Sequence, residues 1–277
     1  MQQSRNIATT TRSEPGPEPL LERPLSARSV MASLLLGRQP PVAPVADLVR
    51  WCRLFGIADG TARVALHRMV AKGEITGRDG VYRLAGRLAR RQARQESSLA
   101  PRVRVWRGDW TVAVVVAHRR DAPTRAGLRD AMRRLHLAER REGVWLRPDN
   151  LRLEVPDAVR RQCEWLKARP EDDPVVLTAR LFRPERWARR AGTLTARLAG
   201  VTDALATGDH TLVADAFVAG AAALRHIGGD PLLPPELLPP EWPGEELRDQ
   251  YGRYQRAFDA SARAWFRSPE TSAVVGR

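Results

Sequence analysis

In the first third of the chain, apolar positions recur at helical spacing and are interrupted at regular intervals by glycine. The stretch Ser26–Gly37 opens on a residue that can cap a helix and closes on one that can end it. After a proline-rich turn, Val45, Leu48, Val49, Cys52 and Phe55 fall on one helical face, and Gly56 closes that helix. A third stretch from about Asp59 to Lys72 places Ala62, Ala65, Leu66, Met69 and Val70 together and stops at Gly73. Two short apolar runs then flank Gly77–Gly80, and the pair Asp79-Gly80 is a hairpin signal. Three short helices followed by a hairpin is the order of a winged helix-turn-helix, predicted here over residues 23–95.

The pattern then changes. Residues 86–107 read as a basic helical connector, and Trp110–Ala117 as a buried strand rich in β-branched residues. A helix is expected over 124–137, a strand over Gly143–Pro148, a helix near Asp157–Ala168 and a strand near Pro174–Leu181. The β-α-β start predicts a ferredoxin-like α+β unit over 96–182. From residue 183 to 277 the pattern is helical, with helices at 184–200, 209–227 and 245–266. Six prolines within Asp230–Gly244 forbid a helix there, and the leucines and Trp242 among them predict a packed loop. Residues 1–22, with Thr-Thr-Thr and a run of alternating prolines, read as a disordered tail. The fold class expected is therefore α+β and multidomain.

Charge adds a functional direction. The net charge is +14, and Lys72 and Lys167 are the only lysines, so forty-four of the forty-six basic residues are Arg. Residues 1–110 carry nineteen basic and nine acidic side chains, whereas the remaining 167 carry twenty-seven and twenty-three. A basic segment joined to a nearly balanced body is the footprint of a phosphate-binding module. Nucleic acid ranks ahead of a membrane, because no long basic amphipathic helix with an aromatic face is present. No apolar run approaches the length of a bilayer span, and two cysteines make neither a disulfide framework nor a zinc site. The chain reads as cytoplasmic, and as nucleoid-associated if its partner is DNA.

If the third helix buries the face just described, it turns Arg63, Val64, His67 and Arg68 outward. That face would enter the major groove of double-stranded DNA, where Arg pairs bidentately with guanine. Thr61 sits near the helix start, where free N–H groups favour phosphate. Arg78 at the wing tip and Arg83 on a wing strand suit a flanking groove or backbone. Trp51 falls off the second helix's apolar stripe and is expected to pack on the connector or the next domain. Cys52 reads as a small buried apolar residue. His118, His136, His210 and His226 are scattered, and no metal motif, nucleophile elbow or phosphate loop is present. The chain is expected to be no enzyme and to need no cofactor or metal.

Three segments resemble the phenylacetate-operon repressor (PaaX) family of transcriptional regulators. They are Gly56-Ile57 with the helix through Gly73, the pieces Trp106–Val112, Leu128–Leu135 and Gly143–Pro148, and the run Ala223–Gly244. The resemblance spans roughly residues 24–262. It implies a dimeric repressor of a catabolic or secondary-metabolic operon that binds promoter DNA and is released by an acyl-CoA of the phenylacetyl-CoA type. Arg225 and His226, beside the matched loop, are the effector-binding candidates. The competing expectation is that they hold that loop through carbonyls or Asp230. The family's usual Leu-Gly-Phe is replaced here by Leu135-His136-Leu137, and Gly60 and Thr61 stand where bulkier residues are usual. The middle unit also resembles small CRISPR-associated nucleases of ferredoxin-like fold. Their metal-binding Asp follows the first strand, where this chain has Ala117-His118-Arg119-Arg120. A metal-dependent nuclease and a protein-interaction adaptor using the winged-helix surface are the alternatives.

Overall fold

The computed structural model describes residues 25–117, 121–207 and 212–267. The tail expected over 1–22, the strand-end positions 118–120 and His210 lie outside them.

The first helix, α1 (Ala27–Gly37), begins where Ser26 accepts from the Ser29 backbone N–H and Ser29 closes a reciprocal capping box. Helices α2 (Val45–Arg53) and α3 (Asp59–Ala71) follow, joined through Gly56 at φ +68°. Strands β2 (Ile75–Arg78) and β3 (Val81–Leu84) form the hairpin. Asp79 and Gly80 both have positive φ, the pairing that matches the twist of two-residue hairpins. A short strand, β1 (Val42–Pro44), adds to β3 and makes a three-stranded antiparallel sheet. Flanking prolines hide it from any alternation pattern.

Helix α4 (Gly86–Leu99) is shorter than the connector expected over 86–107. It stops before Ala100-Pro101, because the residue ahead of a proline is driven out of helical geometry. Val103 beyond it bridges instead to Leu151.

The middle of the chain runs β4 (Trp110–Val115), α5 (Ala122–Arg134), β5 (Ala138–Arg141), β6 (Val144–Pro148), α6 (Asp157–Arg160) and β7 (Cys163–Ala168). Its strands form one four-stranded antiparallel sheet in the order β5-β6-β4-β7. Two expectations are corrected here. The helix over 157–168 is only the short α6, after which Cys163–Ala168 pairs along the whole of β4. The strand over 174–181 is a helix, α7 (Pro174–Phe182). Asp173 accepts from the N–H groups of Val175 and Val176, both at 2.9 Å, and Pro174 occupies the first turn. That cap and a proline suited to helix starts outweigh the strand preference of two exposed valines.

Helices α8 (Pro184–Ala206), α9 (Val213–Ile227) and α10 (Gly244–Arg267) pack on one another. Gly220 on α9 is a true close approach, since a Cβ there would meet the Tyr254 ring of α10 at 2.3–2.4 Å. The Asp230–Gly244 loop is packed as expected, with Leu233 and Leu237 buried and one 3-10 turn at Pro235–Leu237.

A single apolar core runs from α1–α4 into α8–α10. Trp51, fully buried on α2, is its centre. Its ring meets Phe55, Phe217, Phe258, Trp265 and Phe266 at centroid distances of 5.4–6.1 Å. It therefore packs on the C-terminal helices. Cys52 is buried beside it, and burial pushes its thiol up to about 11, which keeps it protonated and inert.

Candidate nucleic-acid interface

Helix α3 anchors itself through Ala62, Leu66 and Met69, each at most 3% exposed. Ala65 is half-buried at the edge of that stripe. Val70, expected in the core, is 42% exposed. At 100° per residue it lies roughly 80° round from the stripe, beside Arg63, so three contacts spaced 62–66–69 already use all the core the helix can reach.

Thr61, Arg63, Val64, His67 and Arg68 are all exposed, and so are Arg78 and Arg83 on the hairpin. A groove lined by Thr61, Val64, Arg68 and Lys72 from the α3 segment and by Ser26 and Arg28 at the start of α1 runs along this side. The structure thus brings Thr61, Val64 and Arg68 together, with Arg63 and His67 further round the same helix. Arg78 stands apart at the hairpin tip, its side chain 94% exposed and 3.4 Å from Asp79.

Two arginine-paired carboxylates hold this surface in place, and neither is evident from spacing. At the start of α3, Arg53 donates to both Asp59 oxygens at 2.6–2.7 Å. Those bonds hold the Asp59 carboxyl below its ordinary range, and they neutralise the one acidic group in the helix's first turn. At its far end, Glu74 is buried to 1% exposure between α3 and β2. Arg28 of α1 grips it with two bonds at 2.7 and 2.9 Å, and Arg87 of α4 adds another at 3.0 Å. The Arg28 hydrogen bond is the largest cause of its lowered pKa. One carboxylate so fixes α1, α4 and the root of the hairpin relative to α3. What marks it in the sequence is only a lone acid after a helix-ending glycine, amid arginines.

Arg225 and His226, adjacent in sequence, face different surroundings. The His226 ring stacks on Trp187 at 4.5 Å, and its Nε2 lies 3.0 Å from the Trp187 carbonyl. Trp187 Nε1 donates back to the His226 carbonyl at 3.1 Å, and Trp187 stacks in turn on Trp242 of the proline-rich loop. Burial lowers the His226 pKa, so the ring is neutral and serves the loop. Arg225 is exposed at the mouth of a separate cavity. Asp230 is held by neither of them. Arg248 donates to it at 2.8 Å, and the Leu232 N–H does so at 2.8 Å.

Among the described residues, no group of three or more His, Cys, Asp or Glu is arranged to hold a metal ion. Asp172 pairs with Arg140 at 2.8 Å, and Asp173 is the α7 cap, so the two form no acid pair. No helix among the described residues is long and apolar enough to cross a membrane.

Residues 26–88 match the family described as PaaX-like protein, and residues 185–268 match the PaaX-like protein C-terminal domain. No curated protein matches the chain. Among solved structures it is similar to an uncharacterized protein, Rv0674, from Mycobacterium tuberculosis. The identity is 39%, the match covers 86% of this chain and 98% of that one, and the TM-score is 0.67. With both regions matched and a relative of that likeness along most of its length, the chain belongs to the PaaX-like family.

Proposed function

We propose that the protein is a homodimeric transcriptional repressor that reads promoter DNA with α3 and is released by an acyl-CoA of the phenylacetyl-CoA type. In this reading, residues 23–95 work as a winged helix-turn-helix, 96–182 as a ferredoxin-like linker and 183–277 as the effector and dimer region. The β-α-β-β-α-β order of the middle unit and its β5-β6-β4-β7 sheet support the second assignment. Membership of a family of regulators supports the repressor role.

The observation that carries the proposal is the outer face of α3. Arg63, Val64, His67 and Arg68 stand clear of the core on a helix whose two ends are fixed by buried or paired carboxylates. A rigid, cationic, unobstructed helix face with a basic hairpin beside it is what major-groove reading requires. Each protomer would engage one half-site, so the operator is an inverted repeat with half-sites about one or two helical turns apart.

The test is a fluorescence-anisotropy titration onto the chain's own upstream DNA, near physiological salt and with random competitor. Preference for that DNA by a hundredfold or more, reversed by phenylacetyl-CoA, is the expected result. Specific binding that no thioester reverses removes the effector from the proposal. Absence of any preference removes the DNA reading altogether and favours an adaptor.

A further inference from the structure

A cavity of about 300 Å³ opens between α1, α4, α9 and α10, bordered by Phe217, Phe258 and Phe266 of the Trp51 cluster. Its walls are apolar and aromatic, with Leu34 from α1, Phe217 and Leu224 from α9, and Tyr254, Phe258 and Phe266 from α10. At about 30 Å³ per water-sized unit it has room for roughly ten non-hydrogen atoms, the size of a substituted ring or a short branched acyl chain.

The polar groups around it are one-sided in charge. Arg38, Arg91, Arg225 and Arg263 line it against a single carboxylate, Asp259. Arg38 is taken by Asp47 at 3.2 Å and lies over the Phe266 ring at 4.9 Å. Arg263 and Arg38 both act on Asp259, whose pKa burial raises. Arg91 and Arg225 are different. Neither has a carboxylate within ion-pair distance among the described residues, and the two repel one another. Two uncompensated guanidiniums at the mouth of an aromatic pocket are a receptor for an anion with an apolar tail.

We infer that this cavity is a small-molecule site for an amphipathic anion, an aryl or branched-acyl carboxylate or its coenzyme thioester, with Arg91 and Arg225 holding the negative group. The cavity draws its walls from the helices that carry α3 and from the C-terminal helices that pack on Trp51. A ligand there has differential contacts with any two placements of those helices, which is what a ligand needs to shift their equilibrium. That regulatory half rests on the proposed repressor reading, whereas binding itself does not.

The experiment is isothermal titration of the full chain, without DNA, using phenylacetate, phenylacetyl-CoA and neutral phenylacetamide. Two variants accompany it: the double substitution Arg91→Gln with Arg225→Gln, and Ala221→Phe, which fills the cavity from α9. Circular dichroism and melting confirm that each is folded. At least one of the two anions is expected to bind, and whichever binds names the source of the charge. The double variant should weaken it tenfold or more, Ala221→Phe should abolish it, and the amide should bind poorly throughout. The inference is overturned if neither anion binds at millimolar concentration, or if both folded variants bind as the wild type does. Adding upstream DNA separates the two claims. Binding in the cavity that leaves DNA affinity unchanged keeps the site and sinks the repressor mechanism.

Discussion

The molecule is held together at two joints of opposite chemistry. The first seats α1–α4 on α8–α10 and is aromatic, with Trp51 enclosed by five rings. Directional bonds are confined to its edge, such as Arg50 Nη1 to the Phe266 carbonyl at 2.9 Å. Trp51 Nε1 itself is buried with no hydrogen-bond partner among the described residues. The second joint seats the middle sheet on the proline-rich loop and is polar. Arg147, 1% exposed, donates to the carbonyls of Pro148 and His136, to Asn150 Oδ1 and to the Leu232 carbonyl, all within 2.8–3.2 Å. Asn150 Nδ2 adds a bond to the same Leu232 carbonyl, and Asp230 with Arg248 carries the network on to Ser98 at the end of α4. Burial of rings is non-directional and tolerates small rotations, whereas four hydrogen bonds to one guanidinium define a single register. The seam between the α3-bearing unit and the C-terminal helices, beside the cavity, is thus held mainly by non-directional burial, with Arg50 and Arg248 bonding across its edges, whereas the seam at Arg147 is set by directional bonds.

Breaking the aromatic joint has the largest expected effect. Trp51→Ala removes the central ring and should cost about 3–5 kcal/mol, seen as a fall in the midpoint of denaturant unfolding. Because one core spans both regions, they should lose stability together in a single transition. Trp51→Phe should cost far less, since no hydrogen bond is lost and most of the rings keep a partner. The polar joint is next. Asp230→Ala strands Arg248, which is 12% exposed, without its carboxylate, and should cost about 3 kcal/mol.

The joints also separate by pH. His136 lies beside Arg147, and burial first, with Arg147 second, pushes its pKa down to about 4. Its folded pKa is below its ordinary value of 6.5, so its contribution is complete above that pH and lost as pH falls toward 4. The loss should reach about 2–3 kcal/mol, measured as a drop in melting midpoint across that window. The aromatic joint carries no such group at its centre. His136 also sits at φ +57°, a left-handed conformation natural to glycine, at the position where the family's usual motif has Gly. His136→Gly should flatten the pH dependence without backbone strain.

How far these features could be read ahead of the structure follows from how local they are. Ser26, Gly56, Gly73 and Asp79-Gly80 act within a few residues, and they place α1–α3 and the hairpin. The long amphipathic repeats place α8–α10 equally well. Cys163–Ala168 becomes a strand only because β4 lies beside it, and Pro174–Phe182 a helix because Asp173 caps it against the preference of its valines. Strand β5, Ala-Glu-Arg-Arg, is a polar edge strand with no alternation to detect. The outward face of α3 was legible from periodicity, apart from Val70. Arg147 and Glu74 were not, because in a chain with forty-four arginines nothing local distinguishes the one that is buried or the acid that others converge on.

The smallest expected effect on stability belongs to the outer face of α3, the proposed DNA-reading surface. Arg63→Ala with Arg68→Ala changes two exposed side chains and should move the folding free energy by no more than about 0.5 kcal/mol per site. Affinity of that double variant for the upstream DNA, at fixed salt and against the wild type, tests the account most directly. A loss of tenfold or more with an unchanged melting curve is the result that the proposed reading role of α3 predicts. Undiminished specific binding by the folded variant would contradict it and place the DNA contact elsewhere on the molecule.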